Sequence, residues 1–209
     1  TRMRELIKWQ DEWLSACVTS FRPEKGCEFN WWEEALRVEH ALLSGRPICG
    51  PNLDFAKAFD RLPQEILLRL VKDMGLDEHI SRALEGMYGA LRRSFYVNGH
   101  VGKPFKSTNG ILQGCPISVL LMNAFAEVWI RAVQSEIGPG IQPQGYADDL
   151  GATSECPRDI VAACRITDDF ARLTGMRVNA DKSHIWATWP QHRLVLHHGC
   201  HIHGLGLKL

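Results

Sequence analysis

At 209 residues the chain has ample length to bury a core, as one large domain or as a domain with part of a neighbour. Hydrophobic residues make up 45% and charged residues 23%, ordinary for a globular protein. Lys plus Arg equals Asp plus Glu at 24 each, a balance that weighs against a chain whose main work is gripping phosphate backbones. The seven cysteines are scattered, odd in number and without a CxxC pair; this excludes a disulfide framework and reads as reduced thiols in an intracellular protein. No apolar run reads as long enough to span a bilayer, which takes about 20 residues, so no membrane partner is expected. The opening Thr1-Arg2-Met3-Arg4-Glu5 lacks both a secretory apolar stretch and an initiating Met, so an excised piece of something longer is expected.

In chain order, Leu6, Trp9, Trp13 and Cys17 recur at helical spacing, so residues 1–20 read as an amphipathic helix. A polar, Gly-containing loop is expected over 22–30. Helical periodicity returns over 31–44 through Trp32, Leu36 and Leu43, and Gly45 is its stop. Residues 47–55 are short and apolar and suit a buried strand. Pro63 occupies a first helical position, a Leu/Ile/Val stripe runs over 65–74 to Gly75, and Asp77 caps the next helix toward Tyr88. Residues 94–97, Asn98-Gly99 and 101–106 spell a hairpin, because Asn-Gly tolerates the positive φ of a tight turn. Residues 118–133 read as a well-buried helix. Two strands, 141–146 and 150–153, meet at Ala147-Asp148-Asp149, Pro157 opens a helix ending near Gly175, and short strands are expected to fill the remainder. Strand runs with helices on one side indicate an α+β fold, an antiparallel sheet packed on helices.

Three acidic residues stand out by their surroundings. Asp54 closes an apolar strand, and Asp148 and Asp149 sit at the turn between two others. Carboxylates at the ends of apolar strands are costly to bury unpaired, so they usually hold a partner or a cation. Two carboxylates from different strands can hold two Mg²⁺ ions about 4 Å apart, the arrangement that activates an attacking hydroxyl and stabilises a leaving phosphate. Taken singly, each aspartate also reads as a cap or turn residue. Between the acidic sites, Gly110-Ile111-Leu112-Gln113-Gly114-Cys115-Pro116 carries two glycines and a proline that let backbone approach a ligand, and Gln113 offers both donor and acceptor.

The order of these segments carries a resemblance. Leu53-Asp54-Phe55-Ala56-Lys57-Ala58-Phe59-Asp60 resembles motif A of reverse transcriptases, in the form typical of non-LTR (LINE-type) retrotransposons and group II intron enzymes. Gly110 to Ser118 is similar to motif B, Tyr146-Ala147-Asp148-Asp149 to motif C, and Thr174 to Ser183 to motif D. Fainter matches are Ser20 to Gly26, upstream of motif A, and His203-Gly204-Leu205-Gly206-Leu207, similar to the primer-grip motif E. The resemblance implies a right-hand polymerase palm: residues 1–45 as partial fingers, 46–209 as palm with a fingers insertion at about 61–115, ending near the primer grip with the thumb absent. It implies an RNA-directed DNA polymerase whose partners are an RNA template, a DNA primer, deoxynucleoside triphosphates and the missing fingers and thumb segments of a parent chain. It implies two Mg²⁺ ions, with Mn²⁺ as substitute, held by Asp54, Asp148 and Asp149 and the Phe55 carbonyl.

By the same resemblance Phe59 blocks a ribose 2′-hydroxyl, although a core aromatic is the plain alternative. Gln113, Gly114 and Pro116 shape the nucleotide pocket, Lys182 donates a proton to the leaving pyrophosphate unless it is a mere surface lysine, and Gly204, Leu205 and Gly206 grip the primer. Asp60 reads as structural, bonding backbone near Pro63. Cys115 and Val119 depart from the family's commoner Ser or Gly and Pro. Without the early fingers motifs and thumb, this piece is expected to polymerise poorly or not at all alone. The other reading is a domesticated palm that binds RNA or protein without catalysis. His192, His197, His198, Cys200, His201 and His203 invite a zinc reading, but their spacing fits no usual finger and alternating His on an exposed strand face accounts for them.

Overall fold

The computed structural model describes residues 2–200, along which sixteen elements follow one another. They are α1 (Arg2–Trp13), α2 (Cys27–Leu43), β1 (Cys49–Asp54), α3 (Ala58–Arg61), α4 (Gln64–Asp73), α5 (Glu78–Ala90), β2 (Arg92–Arg93), β3 (Tyr96–Val97), β4 (His100–Val101), β5 (Phe105–Lys106), α6 (Pro116–Ile137), β6 (Ile141–Tyr146), β7 (Asp149–Ser154), α7 (Pro157–Thr174), β8 (His184–Ala187) and α8 (Pro190–Gly199). Four strands form one antiparallel sheet in the order β6-β7-β1-β8. Side chains alternate across a strand, so Leu53, Leu150 and Ile185 turn inward and are buried. Helices α6 and α7 cover that face. Phe55, Phe125 and Phe170 meet edge-on or tilted in the layer between sheet and helices, with centroids 4.5 to 6.2 Å apart.

Helix α6 corrects one sequence expectation. Its 22 residues are long and apolar enough, by length and composition, to cross a bilayer. Here they form the central core helix, with Leu121, Met122, Trp129, Ile130 and Val133 buried. The apolar length serves packing on both sides: Trp129 Nε1 donates to Thr167 Oγ1 of α7 at 2.9 Å, closing the one polar group such a ring brings inside.

Other boundaries moved for local reasons. Helix α1 ends at Trp13 rather than near residue 20, because Ser15 turns both its amide and its hydroxyl to the Glu127 carboxylate. Beyond it the chain turns, the Val18 amide donating to the Ser15 carbonyl, and Val18 then bridges Gly145 of β6. Helix α2 starts at Cys27, inside the expected loop, and places Asn30 to donate to the Gly145 carbonyl. Pro63 caps α4 from outside rather than opening it, and Asp77 caps α5 by accepting from the His79 and Ile80 amides. The hairpin forms as two short ladders, β3-β4 and β2-β5. After β8 the chain turns helical instead of adding strands. Pro190 sits in the first turn of α8 and Leu196 is its buried anchor.

The segment before α6 is pinned to the one after β1. Gly110 donates its amide to Leu62, Ile111 donates to Phe59, and Gln64 Nε2 donates to the Gly110 carbonyl at 2.7 Å. Gly110 takes φ 84, and an added Cβ there meets the Asp60 carbonyl oxygen at 2.8 Å. Gly110→Ala is therefore expected to cost about 2–4 kcal/mol, from the left-handed backbone plus the clash. Gly45→Ala, at φ 64 with open space around it, is expected to cost only about 1 kcal/mol. Thermal denaturation of the two variants measures the difference, and equal melting temperatures would refute the pinning.

Candidate active site

Asp54 is the last residue of β1, and the register sets it opposite Asp149, the first of β7. Opposed residues in an antiparallel pair project from the same face, Cβ atoms about 5 Å apart. Tyr146 lies next across the sheet, opposite Asp149. Ala147 and Asp148 form the two-residue turn between β6 and β7, and Ala147 takes φ 55. Glycine usually fills a hairpin position of positive φ, so an alanine held there stores about 1 kcal/mol of strain. Residues 95 positions apart in the chain thus converge at one sheet end through register alone.

The electrostatics follow from that convergence. Burial pushes the Asp148 carboxyl above its ordinary range; a backbone hydrogen bond pulls it down, and Asp54 repels the charged form while Lys182 offsets it. Asp149 is raised by burial first, then by Asp148 and Asp54, again with Lys182 opposing. Lys182 Nζ stands 3.5 Å from Asp54 Oδ1, on a side chain 68% exposed. It is a surface lysine and an acid-site lysine at once.

Two cavities meet at these carboxylates. One of about 600 Å³ is lined by Phe59, Gln113, Gly114, Pro116 and Asp148, together with Lys57. The four residues expected to shape a nucleotide pocket therefore share one wall with an aspartate. Phe59 is half-buried: it packs on the core and also faces this cavity. The other cavity, of about 300 Å³, lies on the sheet face opposite α6 and α7 and is lined by Asn52, Asp54, Gln144, Tyr146, Asp149 and Lys182.

The profile of the family described as "Reverse transcriptase (RNA-dependent DNA polymerase)" matches residues 2–206. The chain belongs to the reverse transcriptase family. It is 27% identical over 187 residues to the Retrovirus-related Pol polyprotein from type-2 retrotransposable element R2DM of Drosophila melanogaster, covering 87% of this chain and 17% of that protein. It is 29% identical over 140 residues to the Retrovirus-related Pol polyprotein from type-1 retrotransposable element R2 of Popillia japonica, covering 63% and 20%. The chain thus spans a fifth or less of the length of these relatives, which accord with the non-LTR form of its first acidic motif. Among solved structures, apo telomerase from Candida Tropicalis superposes with a TM-score of 0.66 at 11% identity, over 88% of this chain and 35% of that chain. Telomerase from the same organism, in complex with a TWJ fragment of telomeric RNA, gives 0.65 at 13% identity, over 90% and 33%. Those likenesses establish the right-hand polymerase fold, mixed α+β as its sequence pattern implied.

Within this reverse transcriptase site, sequence reading missed what holds Asp54 in place. The Asp54 amide donates to Ser183 Oγ at 3.0 Å, and that hydroxyl in turn lies 3.4 Å from the Asp54 carbonyl. Asn179 donates its amide to the same carbonyl at 2.7 Å. The hydroxyl of Ser183 replaces a ladder partner just where β8 departs from β1, and the departing turn carries Lys182 onto Asp54. A signal existed: Ser183, Ile185 and Ala187 alternate inward and are all buried. Asp60 is exposed, and among the described residues its carboxylate makes no bond to backbone near Pro63; the side-chain link in this region is Gln64 to the Gly110 carbonyl. His192, His197 and His198 lie on helix α8, not on a strand, and no three His, Cys, Asp or Glu side chains close a metal cage among the described residues. His201, His203, Gly204, Leu205 and Gly206 lie outside the described residues.

Proposed function

We propose that this chain is the palm of an RNA-directed DNA polymerase, transferring deoxynucleotides to a primer 3′-hydroxyl on an RNA template. The observation that carries the reading is the Asp54–Asp149 pair at the ladder end, with Asp148 in the joining turn. Residues 1–45 are part of the fingers, and 46–209 are palm with a fingers insertion at about 61–115. The remaining fingers and the thumb come from other segments of the parent polypeptide.

The carboxylates fit a hard divalent cation, although by themselves they close no cage. Mg²⁺ is usually held by one or two carboxylates, with waters and substrate phosphates completing its shell. Asp54 and Asp148, with Asp149 beside them and the Phe55 carbonyl, would hold two Mg²⁺ or Mn²⁺ ions, and the chemistry supplied there would be charge neutralisation at the attacking and leaving oxygens.

The protein's own residues position and select. Gln113, Gly114 and Pro116 shape the nucleotide cavity, and the Phe59 ring on its wall excludes a 2′-hydroxyl. Lys182, largely exposed and paired loosely with Asp54 at 3.5 Å, donates a proton to the departing pyrophosphate. Gly204, Leu205 and Gly206 grip the primer. Catalysis here is positioning plus electrostatics, with little covalent work.

Primer extension on an RNA template by the full-length protein tests the reading. Template-dependent incorporation is expected, and Asp54→Asn is expected to abolish it. No extension by the wild type, with RNA still bound, would instead identify a domesticated palm that acts as a scaffold. In the same assay Ser183→Ala is expected to lower kcat about tenfold to a hundredfold with KM for nucleotide little changed, the usual loss when a group that orients a metal ligand is removed. Ser183→Thr keeps the hydroxyl and is expected to stay near wild type. An alanine variant with full kcat would show that Ser183 only completes the sheet.

A further inference from the structure

The neutral net charge hides a strong polarisation. Between Gly86 and Ala126 the sequence holds Arg92, Arg93, Lys103 and Lys106 and no Asp or Glu at all. Many arginines and lysines elsewhere find carboxylates, as in Arg46–Glu155, Lys72–Glu85, Arg131–Glu127 and Arg165–Glu136. Among the described residues none of these four is paired with one; Arg92 bonds only the neighbouring Leu91 carbonyl. Every residue from Ser94 to Lys106 is exposed, including Phe95 at 70% and Tyr96 at 73%. Apolar rings left in water beside unpaired cations mark a surface built to be covered.

We propose that this hairpin is a stacking platform for a single-stranded polynucleotide, the strand approaching the cleft as template. A polyanion satisfies the four cations, and base faces cover rings that no carboxylate-bearing partner needs; the pairing of a cationic track with aromatic faces is how single strands are bound without sequence preference. The platform is pinned at several points. Asn98 and Gly99 take φ 49 and 82 in the tight β3-β4 turn, Phe95 and Phe105 stack with centroids 5.1 Å apart, and the Gly102 amide donates to the Phe95 carbonyl at 2.8 Å. Its C-terminal arm runs straight into the Gly110 anchor on Phe59 and Leu62 and then to Gln113 on the nucleotide cavity. A strand held there is therefore tied to the cleft by main-chain hydrogen bonds. The inference rests on the polymerase reading for the strand's identity as template, but not for binding itself.

Fluorescence anisotropy of the full chain with labelled single-stranded RNA, single-stranded DNA and duplex RNA, each about a dozen nucleotides long, tests it. Either single strand is expected to bind more tightly than duplex. Replacing Arg92, Arg93, Lys103 and Lys106 together by Gln is expected to flatten the slope of log affinity against log salt by about 3. Phe95→Ala with Tyr96→Ala is expected to weaken binding at least about tenfold, and the unchanged melting temperature of these surface variants guards against misfolding. Three outcomes overturn the proposal. Both variants binding like wild type is the first, and a loss confined to the charge variant, which leaves no stacking, is the second. The third is sedimentation showing that the rings hold two copies of the chain together while RNA affinity is indifferent to them, which makes the patch a protein-docking face. Wild-type protein that binds the strand through this patch but extends no primer removes the polymerase reading and spares this one.

Discussion

Replacing Asp148 by Asn is expected to cut kcat for nucleotide addition at least about a thousandfold and, in the same molecule, to raise the melting temperature. The two effects have one cause. The charged form of Asp148 is disfavoured chiefly by burial and further by Asp54, and Lys182 offsets only part of this. Asparagine keeps the shape and the turn but removes a charge that folding must otherwise desolvate beside its own kind. A folded protein gains from that removal; a site that needs anionic oxygens does not. Strain at Ala147 in the same turn points the same way, since backbone held against its preference collects at working sites. Single-turnover primer extension and scanning calorimetry on one preparation measure both quantities. Full activity would remove Asp148 from the reaction. A lowered melting temperature with lost activity would show that the carboxylate serves the fold, through the backbone hydrogen bond it accepts, more than the chemistry.

Much of this site was legible in the sequence, because its parts are local signals. Asp54 and the Asp148-Asp149 turn flank apolar strands, so their place at strand ends needed only period-two alternation, and the motif order supplied the partnership. Asn98-Gly99 wrote its own turn, Asp77 its own cap, and Pro157 its own helix start. What the sequence concealed was non-local. Ser15 looks like the interior of a helix whose apolar stripe continues to Cys17; only a glutamate far along the chain ends that helix. Ser183 is an ordinary polar residue in a polar turn until β1 arrives beside it. The apolar run of α6 is ambiguous in itself, since a core helix and a spanning helix share length and composition, and only burial separates them. The even charge balance was the most misleading reading, because it averages a wholly basic stretch against an acidic remainder.

Glu127 shows how far from the acidic cluster the site is held. Its carboxylate is completely buried and accepts from the Ser15 amide at 2.9 Å, the Ser15 hydroxyl at 2.8 Å and Arg131 Nε at 2.7 Å. One turn earlier on α6, Asn123 donates to Gln10 Oε1 and to the Ser20 carbonyl, both at 2.9 Å. These two side chains fix the segment after α1. That segment in turn grips β6: Gly145 donates to the Cys17 carbonyl at 3.0 Å and accepts from the Thr19 amide at 3.1 Å. Tyr146 and the Ala147-Asp148 turn follow at once. Glu127→Ala strips the half-buried Ser15 amide and hydroxyl and the more exposed Arg131 of their buried acceptor and is expected to cost about 3–5 kcal/mol. For a chain of this size that is a fall of roughly 10 °C or more in melting temperature. Glu127→Gln keeps the volume and one acceptor oxygen and is expected to lose less than half as much. Urea denaturation of both variants measures the costs, and proteolysis at residues 14–20 reports whether the segment comes free. Its release while the core stays folded would place the failure at the α6 anchor, and extension activity is expected to fall with it, because the turn bearing Asp148 leans on that segment. If Glu127→Ala melts like the wild type, the buried carboxylate holds nothing, and the turn is positioned by the sheet alone.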